Sequence, residues 1–164
     1  RSSPTSKSTS CATGTGFSVA LRALLDVNVL IALLDEAHVH HTVARAWLST
    51  NIDSGWASCP ITQLGCIRIM AHPSYPNCRP ISQVAERLST AVRTTHHAYW
   101  PADVTAVANS AIDWQALLSS RNVTDVYLLS LAVAHGGRLV TFDRHIPRSA
   151  APDAREEHLV LLRS

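Results

Sequence analysis

The sequence predicts an α/β protein, with a central and mainly parallel sheet flanked by helices. Short apolar runs of strand length recur along the chain, at residues 23–27, 55–59, 97–100, 138–142 and 158–162. Stretches with helical spacing stand between several of them. The intervals suit the crossover connections that parallel neighbours require.

Ala23-Leu24-Leu25-Asp26-Val27 is too short to show a period, but it suits a buried strand that closes on an acid. Asn28 is placed to cap the helix that follows, with Val29, Leu30, Leu33 and Leu34 as its apolar face. Residues 41–48 predict a second helix, with Val43, Ala44, Trp47 and Leu48 inward. Gly55-Trp56-Ala57-Ser58-Cys59 predicts the second strand, closed by Pro60. A helix is expected from Thr62 to about Ala71, with Leu64, Ile67 and either Arg68 or Ala71 at helical spacing. Pro73, Pro76 and Pro80 make residues 72–80 a loop. Ser82 opens the next helix, with Val84, Ala85, Leu88 and Val92 on one face. A short strand is expected from His97 to Trp100, ended by Pro101, and residues 106–118 have helical tendency. Thr124 is expected to cap the clearest helix, whose stripe is Val126, Leu129, Ala132 and Val133 and whose stop is Gly136-Gly137. Residues 138–142 give a strand ending at Asp143, and residues 158–162 a last one.

A chain of 164 residues fits one domain with a sizeable core. Hydrophobic residues at 46% against 16% charged exclude wholesale disorder. The formal net charge of +2 neither requires nor excludes nucleic acid. Cys11, Cys59, Cys66 and Cys78 lack the tight spacing of a zinc knuckle and read as reduced thiols of a cytoplasmic protein. No apolar run approaches the ~18–20 residues of a membrane span. The longest candidate, residues 23–34, is broken by Asp26 and Asn28. Residues 1–18 are rich in Ser and Thr and hold neither an acid nor a continuous apolar core, a poor secretory signal. A flexible tail is therefore expected over residues 1–20 and a single domain over 21–164, with no internal repeat.

Asp26 and Asp143 each end an expected strand, and Asp125 sits in the first turn of the clearest helix. In an open α/β sheet, ligands bind outside the carboxyl ends of the strands. If the two strands are parallel neighbours, the three acids converge. Carboxylates crowded in a cleft repel one another unless protons or cations compensate. A hard dication does so, and oxygen-only ligands suit Mg²⁺ or Mn²⁺. Such an ion activates water and neutralises charge on a phosphoryl group. Asn28 and Thr141 are placed to orient ligands or waters by hydrogen bonds. Each acid also has a plain structural role open to it: Asp125 favours a helix N-terminus, and a strand-ending Asp makes a cap or turn.

Longer stretches resemble the PIN-domain ribonucleases, in particular the VapC toxins of type II toxin–antitoxin pairs. Leu24-Leu25-Asp26-Val27-Asn28-Val29-Leu30 looks like the family's opening strand and helix. His38 to His41, with Ala44 and Trp47, resembles its second helix, and Gly55-Trp56-Ala57-Ser58-Cys59-Pro60-Ile61-Thr62 its second strand and turn. Tyr99-Trp100-Pro101-Ala102-Asp103 resembles its aromatic-Pro-acid segment. Val123-Thr124-Asp125-Val126 and Gly136-Gly137-Arg138-Leu139-Val140-Thr141-Phe142-Asp143 resemble its late helix and strand, in the same order. Each motif alone is weak; six in register over residues 21–162 are specific.

The resemblance implies a PIN-like three-layer sandwich and a Mg²⁺- or Mn²⁺-dependent endoribonuclease acting on tRNA or ribosomal RNA. It also implies a homodimer and a VapB-type antitoxin that blocks the site. Asp26 and Asp125 match the family's principal metal ligands, and Asp143 the later acid. One position departs: the family usually has Glu where this chain has Gln63. Gln keeps an acceptor oxygen but carries no charge, so cation binding is expected to weaken while acid repulsion falls. That departure keeps open a module that binds RNA or a partner without cutting.

Arg68 lies one turn past Gln63, placed for RNA phosphate or for an ion pair. The clusters His38/His40/His41 and His96-His97 match no closed zinc pattern and read as solvated. Arg79, Arg87, Arg93, Arg138, Arg144 and Arg148 are scattered, and make a phosphate rim only if the fold gathers several. Trp47 and Trp56 are expected in the core, and Trp100 in the core or stacking on RNA. Cys59 and Cys66 are expected as buried packing.

Overall fold

A computed structural model describes residues 20–108 and 111–163. The tail expected over residues 1–20 lies, apart from Ala20, outside them, as does Cys11. The elements run β1 (Ala23–Leu25), α1 (Val27–Leu34), α2 (His41–Asn51), β2 (Trp56–Ser58), α3 (Pro60–Met70), α4 (Ile81–Val92), β3 (His97–Tyr99), α5 (Val123–Ala134), β4 (Arg138–Thr141) and β5 (Leu159–Leu161). The five strands form one sheet in the order β3-β2-β1-β4-β5, and every pairing is parallel.

Alternation along the strands sorts the core onto two faces. Leu24, Ala57 and Leu139 pack against α5 with Trp100, Ile112 and Ile146. Ala23, Leu25, Trp56 and Val140 pack against α1 to α4 through Val29, Ala44, Cys66, Met70 and Val84. Each fully buried Leu or Val contributes about 1.5–3 kcal/mol of transfer free energy. The result is a three-layer α/β sandwich, as the sequence predicts.

Several local expectations are corrected. Asp26, not Asn28, caps α1: its side chain accepts from the Val27 N–H at 2.6 Å. Helix α3 starts at Pro60 rather than Thr62, since Pro suits the first helical position. Its inward face is Thr62, Cys66 and Met70, while Leu64 is 67% exposed. Thr62 is tolerated inside because its hydroxyl bonds locally to the Cys59 N–H and carbonyl. Helix α5 is capped at Asn122 rather than Thr124, because a 3-10 turn over Ser120–Asn122 feeds directly into it. It is buried well beyond a stripe, adding Leu128, Ser130 and Leu131.

No helix forms among the described residues of 106–118. Ile112 is drawn into the core, the Asp113 N–H donates to the Ala150 carbonyl at 2.9 Å, and the Asp113 side chain turns back onto the Gln115 N–H. Those bonds replace the helical ladder. Trp100 is core: it is buried and stacks on His135 with ring centroids 4.8 Å apart. Trp56 is buried against His97, and Trp47 lies half-buried under the Arg138 guanidinium. Cys59 and Cys66 are buried and free, and Cys78 is exposed and free.

Candidate active site

Because the strands are parallel, their carboxyl ends share one edge of the sheet. β1 and β4 are neighbours with Leu25 opposite Val140, so Asp26 and Asp143 leave the sheet side by side. The Asp26 N–H donates to the Val140 carbonyl at 3.0 Å, which fixes the start of α1 against β4. Helix α5 adds Asp125 from its first turn. All three acids line one cavity of about 550 Å³, together with Asn28, Thr124 and Arg68. Its apolar wall comes from α1 and α3, among them Val27, Leu64 and Ile69. Gly65 permits that wall: a Cβ there would come within 2.7 Å of Val27.

A buried network holds Asp26. Its Oδ2 accepts from the Thr141 hydroxyl at 2.6 Å and from the Asn28 amide at 2.9 Å. The Asn28 amide also reaches the Thr141 Oγ1 at 3.1 Å, and the Asn28 Oδ1 accepts from the Phe142 N–H at 3.2 Å. The Thr141 Oγ1 in turn accepts from the Asp143 N–H at 3.0 Å. The chain just before Asp143 is thus tied to the carboxylate of Asp26. Asn28 and Thr141 thus both bond to the Asp26 carboxylate and to each other.

The electrostatics show what this cluster lacks. Burial first, and then the charges of Asp26 and Asp143, push the Asp125 carboxyl up to about 6, against a favourable bond from Asn122. Burial also raises Asp26, and the Asp143 charge adds to it; the bonds from Thr141, Val27 and Asn28 only partly offset this. Crowded acids raised by burial and by one another are the donor set a hard cation fits. Among the described residues, no group of three or more His, Cys, Asp or Glu is placed, as the side chains stand, to hold a metal ion.

The other expected site residues divide. Arg68 lines the acid cavity and, with Tyr75, the adjoining one. Gln63 is not among the residues that line the acid cavity: its amide donates to the Ser58 Oγ at 2.9 Å, and that oxygen pairs with the His97 Nε2 at 2.8 Å. Of the scattered arginines, Arg79 and Arg87 border a separate cavity on α4, and Arg138 lies against Asn51 and Trp47. Arg144 alone of that set borders a cavity that also contains Asp143. His38 and His40 join it there, together with His145 and Arg163, which no motif or spacing singles out. Asp35 is likewise unmarked, since nothing in its spacing distinguishes it from a helix-ending acid.

The fold and the acid-lined sheet edge define a class. Residues 23–152 match the PIN domain family, and the chain belongs to it. Within that family it is similar to the VapC ribonucleases. It is 48% identical to Ribonuclease VapC44 of Mycobacterium tuberculosis over 142 residues, which are 87% of this chain and all of the relative. It is 42% identical to Ribonuclease VapC39 of the same organism over 132 residues, 80% of this chain and 95% of that one. It is 41% identical to Ribonuclease VapC38 over 123 residues, 74% and 84% of the two chains.

Proposed function

We propose that this chain is the toxin of a VapBC-type toxin–antitoxin pair, a divalent-metal-dependent endoribonuclease whose site is Asp26, Asp125 and Asp143. The observation that carries this reading is the convergence of these acids, from three different elements, on the carboxyl edge of a parallel sheet. The relatives bear the name ribonuclease, which favours cutting over binding alone.

Asp26, Asp125 and Asp143 would hold Mg²⁺ or Mn²⁺ by oxygen ligands. When bound, the ion supplies charge neutralisation at the phosphoryl group and activation of water. Thr141 and Asn28 keep the Asp26 carboxylate in one orientation and tie it to the backbone before Asp143. Arg68, on the far wall, is placed to hold an RNA phosphate. The substrate class is RNA, with tRNA and ribosomal RNA as the candidates. A VapB-type antitoxin, a homodimer and a cytoplasmic location complete the proposal. No helix among the described residues is long and apolar enough to cross a membrane.

The test is RNA cleavage by the wild type and by Asp26→Asn, with Mg²⁺, with Mn²⁺ and with chelator. Asn is preferred to Ala because Asp26 also caps α1, and Asn retains the cap. Metal-requiring cleavage by the wild type alone is expected. An Asp26→Asn protein, free of host nuclease, that cuts as fast as the wild type would sink the assignment.

A further inference from the structure

Next to the acid cavity lies a second one of about 860 Å³, a size that accommodates a nucleotide-scale ligand. The two share Asn28 and Asp143, so they are continuous around the end of β4. The chemistry of the second is opposite. Arg144, His145 and Arg163 line it from the ends of β4 and β5, and His38 and His40 from the loop between α1 and α2. Asp143 is the one acid among its lining residues.

From this arrangement we propose that the groove of Arg144, Arg163, His38, His40 and His145 holds the RNA backbone flanking the scissile phosphate. This rests on the ribonuclease reading of the adjoining acids. Three carboxylates repel a polyanion, and a single dication offsets only part of their field. Cations beside the site are needed to bring the strand in. Arg144 and Arg163 are exposed, so their guanidinium groups are free to fork onto phosphate oxygens.

The imidazoles are held in place. The His40 ring stacks on Phe142 at 4.5 Å, and its Nδ1 is buried without a protein partner. The His38 Nδ1 accepts from the His40 N–H at 3.1 Å. The His145 Nδ1 and backbone N–H both lie against the Asp143 Oδ1, at 3.0 and 2.7 Å. The groove is thereby joined to the acid cluster through one carboxylate. A strand crossing the acids leaves past Asp143 into donors on one side and toward Arg68 on the other.

The test is binding of a labelled oligouridylate to the full chain in chelator, so that cleavage does not intervene, for the wild type and Arg144→Ala/Arg163→Ala. Both positions are exposed, and thermal melting of the variant confirms its fold. Binding is expected to weaken about tenfold or more, with the salt slope lowered by about 0.7 for each phosphate that the variant no longer neutralises. Wild-type affinity and salt slope in the double variant would overturn the groove even if both proteins cut RNA. Weakened binding in the variant supports the groove even if neither protein cuts, and only the ribonuclease reading then fails. No oligouridylate binding by the wild type overturns the groove as well.

Discussion

Helix α1 carries an aspartate at each end, and the two behave in opposite ways. Asp26 caps its N-terminus and Asp35 its C-terminus, and both are buried, at 5% and 8% exposure. The helix dipole favours a negative charge at the first and opposes it at the second. Nevertheless the carboxyl is raised at Asp26 and lowered at Asp35. Burial pushes both up. At Asp35 it is outweighed by the Tyr75 hydroxyl at 2.6 Å, the Asn77 amide at 3.1 and 3.2 Å, and the Ala37 N–H at 3.1 Å. At Asp26 the donors do not suffice, and a like charge at Asp143 adds to the burial. The dipole is worth ~0.3–1 kcal/mol at an exposed site, less than the ~1.5–3 kcal/mol of a hydrogen bond to a charged group. One end is a finished joint that ties the loop at residues 72–80 to α1. The other keeps a raised carboxyl beside a like charge, the state that a bound cation, as proposed above, would relieve.

The sharpest way to break that comparison is to neutralise each acid. Asp26→Asn is expected to lower RNA cleavage by more than ~100-fold, beyond the cost of losing a merely orienting partner. Urea unfolding should show its stability at neutral pH changed by less than about 1 kcal/mol, because the cap survives and repulsion falls while the Asn28 amide loses one acceptor. Asp35→Ala should do the reverse. It strands the Tyr75 hydroxyl and the Asn77 amide, at a cost of about 1–3 kcal/mol, while cleavage per folded molecule stays at the wild-type level. Full stability in Asp35→Ala, or retained cleavage in Asp26→Asn, would erase the distinction between the two ends.

A smaller effect separates them by pH. Asp26 and Asp125 have folded-state carboxyls above their unfolded values, near 6 for Asp125. Between about pH 4 and 6 the folded, metal-free chain therefore binds more protons than the unfolded one, so stability falls as pH rises through that window. Asp35, lowered, contributes stability above its unfolded value and loses it only in stronger acid. Thermal melts in chelator should show the acid cluster costing more at pH 7 than at pH 5. Added Mg²⁺ should raise the Tm more at pH 7, where protons no longer compete for the carboxylates. An equal Mg²⁺ shift at both pH values would count against a cation held by these acids.

The sheet and the acids were legible because each rests on local text. Apolar runs that end in Asp26 and Asp143 need only parallel neighbours to converge, and β1 pairs with β4. What was illegible depends on tertiary company. Leu64 has helical spacing but faces out, because Thr62 satisfies its own hydroxyl and takes the inward place. Residues 106–118 have helical tendency, yet Ile112 and the bond from Asp113 to Ala150 pull them elsewhere. His38, His145 and Arg163 are far apart in sequence: the sheet order places β5 beside β4 and so Arg163 near His145, and the loop between α1 and α2 adds His38.

Gln63 carries the smallest expected effect, although the departure from Glu made it conspicuous in the sequence. Its amide is committed to the Ser58 Oγ, which is 2.8 Å from the His97 Nε2. In Gln63→Glu the new carboxylate can accept from the same Ser58 hydroxyl, so the Gln63–Ser58–His97 chain has a ready substitute and no need to turn toward Asp26. Divalent-cation affinity, measured by calorimetry on the metal-free protein, should therefore change by less than about tenfold, ~1.4 kcal/mol. A gain of about a hundredfold, ~2.7 kcal/mol, would mean that the side chain leaves Ser58 for the acid cavity. Position 63 would then count as a fourth site acid, and the shortage of positive charge at the N-terminal end of α1 would be larger still in chains that carry Glu there.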